Sequence, residues 1–487
     1  MAVGSLLGVD VGTHSAKGCA FDRDGRVLAA AEIAYQHDTP APGWAEMDAE
    51  RWWHATRDIL RALTSAPGVQ PIDALGVTGQ APTLVAVDAD GRPLRPAILW
   101  LDVRSEADAA ALAARLGPEA EALGGNRVHA YYLGPKLAWL RDHEPTVLER
   151  AATILQSHSV PVMRLTGARV TDYSSAALCA PLYDARSRAW SRAMCERLSI
   201  PYALLPALHP AHAVAGTVTA AAARETGVVA GTPVVVGGAD FAASTLAAGV
   251  LDPGEACLML GTSGNLIAPL PEPGFDTRLI NTHHVGCERA LTLGATLSGA
   301  VQEWFRGVAA PGVDFETLDA EAAGIFAGAD GVTLLPYLQG ERTPHWDAGA
   351  RGAFLGLSLA HRRGHLYRAV LEGIAVSFRH CADVMRDSGV TLREVVAVDG
   401  GARSGLWRQI IADALGVPLF YLPDAAGAAA GAALLAGLGS GALASVETAR
   451  RWRGPLLRHT PDPASTATYA RMLAARKDLY PALRGIA

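Results

Sequence analysis

The chain has 487 residues, half of them hydrophobic and 18% charged, a balance that suits two large folded domains and excludes a disordered protein. Its formal net charge of −6 argues against nucleic-acid binding, which calls for clustered lysine and arginine. The six cysteines form no CxxC pair and lie in apolar surroundings, so they read as free thiols of a reducing compartment.

At the start, Met1-Ala2-Val3-Gly4-Ser5 carries no basic residue, and Asp10 interrupts the apolar run that follows. No secretory leader is expected, and the protein is read as cytoplasmic. The strand Leu7-Gly8-Val9-Asp10-Val11 then breaks at Gly12-Thr13 before His14-Ser15-Ala16-Lys17. The same phrase returns far downstream, where Cys257-Leu258-Met259-Leu260 breaks at Gly261-Thr262 before Ser263-Gly264-Asn265. A glycine lets the backbone turn tightly and come close to an anion. The amides exposed there, with the threonine hydroxyl, can cradle phosphate. Two such loops imply two related lobes that grip a polyphosphate.

Between the loops, Ala20–Leu28 and Val85–Leu94 each read as strand, Asp-Gly turn and returning strand. Asp48 to Leu63 reads as a helix opened by an acid cap, with Trp52, Ile59, Leu60 and Leu63 on its apolar side. Thr232–Asp240 and Glu394–Gly401 read as continuous buried strands that emit an acid or glycines at their carboxyl ends, where α/β proteins place ligands. Helices are predicted over Leu366–Met385 and Leu406–Leu415. Ala425 to Val446 carries no charge and contains a GxxxG, but it is mostly alanine and glycine. A packed interior helix is the better reading of it than a membrane span. The chain lacks GxxxxGK[ST], GxSxG and HExxH, and His283-His284 with Cys287 has no second pair at zinc spacing, so packing is the reading there.

These features together resemble the FGGY family of carbohydrate kinases. Gly352-Ala353-Phe354-Leu355-Gly356-Leu357, with His365-Leu366, Ala369-Val370-Leu371 and Glu372, fits the family's C-terminal signature at every constrained position. The other signature fits at Tyr131, at Lys136 to Leu140 and at Asp142-His143, but carries Leu133 where the family usually has Pro, Ser or Thr. The resemblance implies an α/β, two-lobed ribonuclease-H-like or actin-like ATPase fold with the active site in the interlobe cleft. It places an N-terminal lobe for sugar and phosphate at 1–245, a C-terminal lobe for ATP at 246–487, and a hinge near 245.

The resemblance also implies roles. An acid at a strand end can take the proton of a sugar hydroxyl as it attacks phosphorus; Asp240 is assigned that work, and on local grounds it would also serve as a helix cap. Asp10, beside a phosphate loop, would hold Mg²⁺. Gly12, Thr13, Lys17, Gly261 and Thr262 would contact ATP phosphates, and Gly400, Gly401 and Ala402 would line the nucleotide. Around the sugar the expected residues are Ala81, Pro82, Trp100, Asp102, Tyr131, Asp240 and Phe241. Closure of the lobes is expected to exclude water.

Pro42 to Asp48, Trp52-Trp53, Pro96 to Trp100 with Asp102 and Arg104, and Gly400 to Ser404 with Trp407, Gln409 and Asp413 resemble the xylulose kinase branch. After Thr78-Gly79-Gln80, that branch carries Met-His and glycerol kinases carry Arg-Glu, whereas this chain has Ala81-Pro82. Xylulose is the first expectation, and another ketose or a polyol stays open. ATP and Mg²⁺ are the expected cofactors. The expected partners are a sugar and ATP, with a homodimer left open, and neither nucleic acid nor membrane. An actin- or Hsp70-like ATPase acting on proteins is the alternative, disfavoured because no peptide-binding domain follows before Ala487. A silent sugar sensor is disfavoured by the presence of both Asp10 and Asp240.

Overall fold

The computed structural model describes residues 4–271, 274–423 and 426–484; Met1-Ala2-Val3 of the leader reading and Ala425 of the uncharged segment lie outside them. In the first unit, β1 (Ser5–Val11) is a central strand, with Leu6, Leu7, Val9 and Val11 all fully buried, because it is covered on both faces. It pairs antiparallel with β2 (Ser15–Phe21), which pairs antiparallel with β3 (Val27–Ala34). Helix α1 (Ala49–Thr64) starts where Asp48 accepts a bond from Glu50 N at 3.0 Å and buries Trp52, Ile59, Leu60 and Leu63, as its apolar spacing predicts. On the other side of β1 runs β4 (Ile72–Gly79), parallel to it.

Thr232–Asp240 differs from the expectation of one strand. It forms β6 (Pro233–Val235) and β7 (Gly238–Ala239), both parallel to β4, with β5 (Val214–Thr217) antiparallel outside β6. Gly237 separates them at φ 77°, and a Cβ there would lie 1.7 Å from the Val77 carbonyl oxygen. That contact and that dihedral both require glycine. Asp240 is consequently not a strand-end acid. It is the first residue of helix α2 (Asp240–Ala247), for which Ala239 occupies the cap position.

In the second unit β8 (Glu255–Leu260) pairs antiparallel with β9 (Ser263–Pro269) and parallel with β10 (Glu394–Val398). The latter is followed by β11 (Leu419–Tyr421), parallel, and β12 (Leu457–His459), antiparallel. Helix α3 (Gly299–Ala309) follows a further strand of this sheet, Ala290–Leu297, and α4 (Gly405–Leu415) links β10 to β11. The predicted helix over Leu366–Met385 falls within Arg363–Asp387.

The uncharged segment forms α5 (Gly427–Ser440), almost wholly buried. It belongs to the first unit, where it packs on β1 and β4 through small residues. A Cβ on Gly8 would sit 1.9 Å from Ala429 O, one on Gly76 2.1 Å from Ala432 O, and one on Gly431 2.1 Å from Ala243 O. Backbone meets backbone at all three points, and this is what the alanine and glycine are for. Among the described residues no helix is long and apolar enough to cross a membrane. The division of the chain therefore differs from a single cut at residue 245. The first unit runs to Leu251 and takes back Asn281–Leu291 and Ala426–Gly454; the second holds Asp252–Ile280, Thr292–Ala425 and Pro455 onward.

Candidate active site

Strand register assembles the first half of the site. Asp10 lies opposite Thr78, and Thr78 opposite Gly238; Val11, Gly79 and Ala239 form the next row. Three parallel strands thus end together, and Asp10 and Asp240 reach the same sheet edge. With neighbouring strands about 4.8 Å apart, β1 and β7 lie roughly 10 Å apart across β4. Thr78 donates its hydroxyl to Asp10 Oδ1 at 3.1 Å. Gly12 N donates to Ser15 O at 3.0 Å to close the first turn, and the Tyr35 hydroxyl donates to Gly12 O at 2.9 Å. Burial, and then the charge of Asp10, push the Tyr35 hydroxyl far above its usual pKa, so it stays a donor. Asp10, Lys17 and Glu32 stand opposite one another on successive strands and so share one face. The Lys17 ammonium lies 3.6 Å from Glu32 Oε1, in an exposed pair.

Several expected sugar-side residues gather beside this edge. The Trp100 indole donates to Thr13 Oγ1 at 3.0 Å and meets Tyr131 edge-on at 6.4 Å. The Tyr131 hydroxyl donates to Ala81 O at 3.4 Å. Phe241 is buried at the start of α2. Gln80, directly before Ala81-Pro82, is buried, and among the described residues neither of its amide atoms has a partner. Such an orphan calls for a partner from outside the chain or an ordered water.

Asp102 is a correction. It is fully buried, and its two oxygens accept Ala45 N at 2.6 Å, Arg104 N at 2.9 Å and the Arg104 guanidinium at 2.8–3.0 Å. Arg104 in turn lies 3.7 Å over the Trp44 ring and 2.7 Å from Glu46. Asp102 therefore clips the Trp44 and Trp100 segments together, with no oxygen left to offer a sugar.

In the second unit Gly261 N donates to Ser263 O at 3.2 Å, closing the second turn. Gly261 O and Thr262 O accept the first two amides of α3 at 2.9 and 3.1 Å. Gly401 lies so close to the carboxyl end of β8 that its Cβ would be 2.7 Å from Leu260 O, whereas among the described residues a Cβ on Gly400 would meet nothing within 4 Å. Ala402 is buried beneath, with its carbonyl held by Arg408 Nη1 at 2.6 Å. The unit thus presents backbone and open space at Gly261, Thr262 and Gly400.

Models of the N- and C-terminal domains of the FGGY family of carbohydrate kinases match residues 5–247 and 256–440. The chain belongs to the FGGY family of carbohydrate kinases. It is 33% identical over 447 residues to the xylulose kinase of Bacillus subtilis (strain 168), covering 91% of this chain and 89% of that one. A glycerol kinase of Halorhodospira halophila is 32% identical over 461 residues, covering 90% and 88%. The crystal structure of xylulose kinase from Rhodospirillum rubrum matches with a TM-score of 0.92 and 35% identity, over 99% of each chain. The fold is that of the FGGY sugar kinases, within the actin-like ATPase group, and the enzyme class is sugar kinase.

Two features of this FGGY chain escaped sequence reasoning. Thr78 and Tyr35 hold Asp10 and Gly12, but nothing local marks either as a partner of residues so distant in sequence. At His283 and His284 the packing reading stands. His284 Nε2 lies 3.0 Å from Val250 O and its Nδ1 accepts Gly286 N. Burial pushes His283 down to about 3 and His284 to about 4. Among the described residues no group of three or more His, Cys, Asp or Glu could hold a metal.

Proposed function

We propose that this kinase transfers the γ-phosphoryl group of ATP to D-xylulose, giving D-xylulose 5-phosphate, with Asp240 as general base. The observation that carries the reading is the strand register that brings Asp10 and Asp240 to one edge in a chain whose relatives include xylulose kinases. Asp240 accepts the proton of the attacking hydroxyl as its oxygen bonds to phosphorus and ADP leaves, a contribution of typically about 10²–10⁴ in rate. Gly12 and Thr13 hold the phosphoryl group, and the Thr13 hydroxyl, accepting from Trp100, keeps its proton to donate. Gly261 and Thr262 hold the remaining phosphates, and Gly400, Gly401 and Ala402 receive the nucleotide.

Asp10 is the residue that would hold Mg²⁺. One carboxylate suits that ion, which takes one or two acids and completes its shell with water and phosphate oxygens. When bound, magnesium offsets the charge that develops on the phosphates. Lys17, on the same face as Asp10, adds a positive charge beside the loop. On the sugar side Trp100 and Tyr131 supply an aromatic wall, and the unpartnered Gln80 amide is the side chain best suited to bond a hydroxyl.

Ala81-Pro82 favours a second reading. A site without a hydrogen-bonding pair there rewards hydroxyls differently, so a ribulose-like ketose or a polyol is the runner-up. ADP release measured across pentuloses, hexuloses and polyols decides between them. D-xylulose should give the highest kcat/KM; a higher value for another ketose or for glycerol would overturn the assignment of the sugar.

A further inference from the structure

We infer that Asp172 and Ser174 are positioning residues for the phosphoryl transfer, acting by fixing the backbone turn that delivers Asp240. The inference rests on the reading of Asp240 as the base. Asp240 opens α2 directly after Ala239, and a residue at the head of a helix takes its direction from the dihedrals of the cap. Alanine has no side chain with which to hold that cap in place.

The anchor comes from elsewhere in the first unit. Ala239 N donates to Ser174 Oγ at 3.0 Å, and the Ser174 hydroxyl donates to Asp172 Oδ2. The direction is forced, since a backbone N–H only donates; Ser174 must accept from it and pass its own proton toward the carboxylate. Asp172 is itself held by Ser174 N at 2.7 Å and Ser175 N at 3.2 Å, and Ser174 O accepts the Thr282 hydroxyl at 2.6 Å. Asp172, Ser174 and Ala239 are all buried, at 1% exposure or less. Beside Asp172 the strand comes so close that a Cβ on Gly238 would lie 2.9 Å from Oδ2.

Capping the helix Tyr173–Ala177 accounts for the bonds from Asp172 to the Ser174 and Ser175 amides. It does not account for a serine hydroxyl that reaches across to the residue before Asp240. The bond from the Ser174 hydroxyl to the Asp172 carboxylate is charge-assisted, hence short and directional, and so fixes the oxygen that accepts Ala239 N; small displacements of a reacting group are costly in rate.

Ser174→Ala removes only the bridge and leaves both amide bonds to Asp172. It should lower kcat between about 10- and 100-fold, with KM for ATP and the melting temperature close to wild type. Ser174→Thr, which keeps the hydroxyl, should restore most of the rate, and Asp172→Asn should reproduce the loss should the alanine variant fold poorly. In an Asp240→Asn background, Ser174→Ala should cost almost nothing further, because the two act through one group. A kcat within about twofold of wild type in Ser174→Ala, or a full additional loss in the double variant, overturns the inference. Substantial sugar-dependent turnover by Asp240→Asn alone would instead remove the base reading on which it rests.

Discussion

The two Gly-Thr hairpins answer each other strand for strand, and differ where chemistry demands it. Each is an antiparallel pair whose first strand also has a parallel neighbour, β4 for β1 and β10 for β8. Two residues before the glycine, the first hairpin has Asp10, opposite Thr78, and the second has Met259, opposite Val398. The first turn closes from Gly12 to Ser15, leaving Thr13 to the Trp100 indole; the second closes one residue sooner, from Gly261 to Ser263. The lesson is a division of labour. On the proposed reading the first sheet edge places Asp10 and Asp240 for a metal and a proton, while in the second hairpin Met259 stands where the first has Asp10 and glycines leave room for a nucleotide and its phosphates.

The largest expected break in that contrast is Asp240→Asn, which keeps the shape and removes the proton acceptor. kcat should fall by about 10²-fold or more with ATP binding near normal, as read from steady-state kinetics and nucleotide titration. Next comes Asp102→Ala, which separates structural from chemical acids on the first edge. Among the described residues it leaves Arg104 only Glu46 as an acid partner and takes the acceptor from the Ala45 amide, and losing buried bonds to a charged group costs about 1.5–3 kcal/mol, so denaturant unfolding should move more than the KM for sugar. An unchanged stability with a raised KM would return Asp102 to the sugar.

Asp10→Asn should lower kcat/KM on the order of 100-fold, the scale of several kcal/mol lost with a metal, and should steepen the dependence on Mg²⁺ concentration. If sugar affinity alone collapsed, Asp10 would sit on the wrong side of the reaction. The smallest effect belongs to the second edge. Gly400→Ala meets no atom of the described residues within 4 Å, so folding should be untouched. If the space belongs to the nucleotide, KM for ATP should rise by about tenfold, within the overpacking scale of about 1–3 kcal/mol. An unchanged KM for ATP would take Gly400 out of that site.

The hairpins, the capped helix from Asp48 and the small-residue helix were legible because each is written in adjacent residues: a turn dipeptide, a cap, an apolar period. Asp240 was legible as an acid near a strand end and as a helix cap, but not as the first residue within the helix, and the strand break before it was not legible because the turn at Gly237 depends on the Val77 carbonyl of another strand. Asp102 misled for a related reason. Its neighbour Arg104 stands two residues away, yet the turn that wraps the guanidinium around the carboxylate also needs Trp44 and Ala45. Ser174 and Tyr35 were not legible at all, since a bond between distant segments leaves no local trace.

The place of α5 bears on how this protein is made. Gly8 and Gly76 lie bare on the inner strands until Ala429 and Ala432 cover them, yet the covering helix leaves the ribosome only after the second unit's Thr292–Ala425 has been made. Translation thus produces the second unit's hairpin and much of its sheet while the earlier unit still lacks part of its interior. A nascent chain arrested before Gly427 should be cut by protease within residues 4–251, and one released after Ser440 should resist; equal resistance would mean the early strands need no late cover.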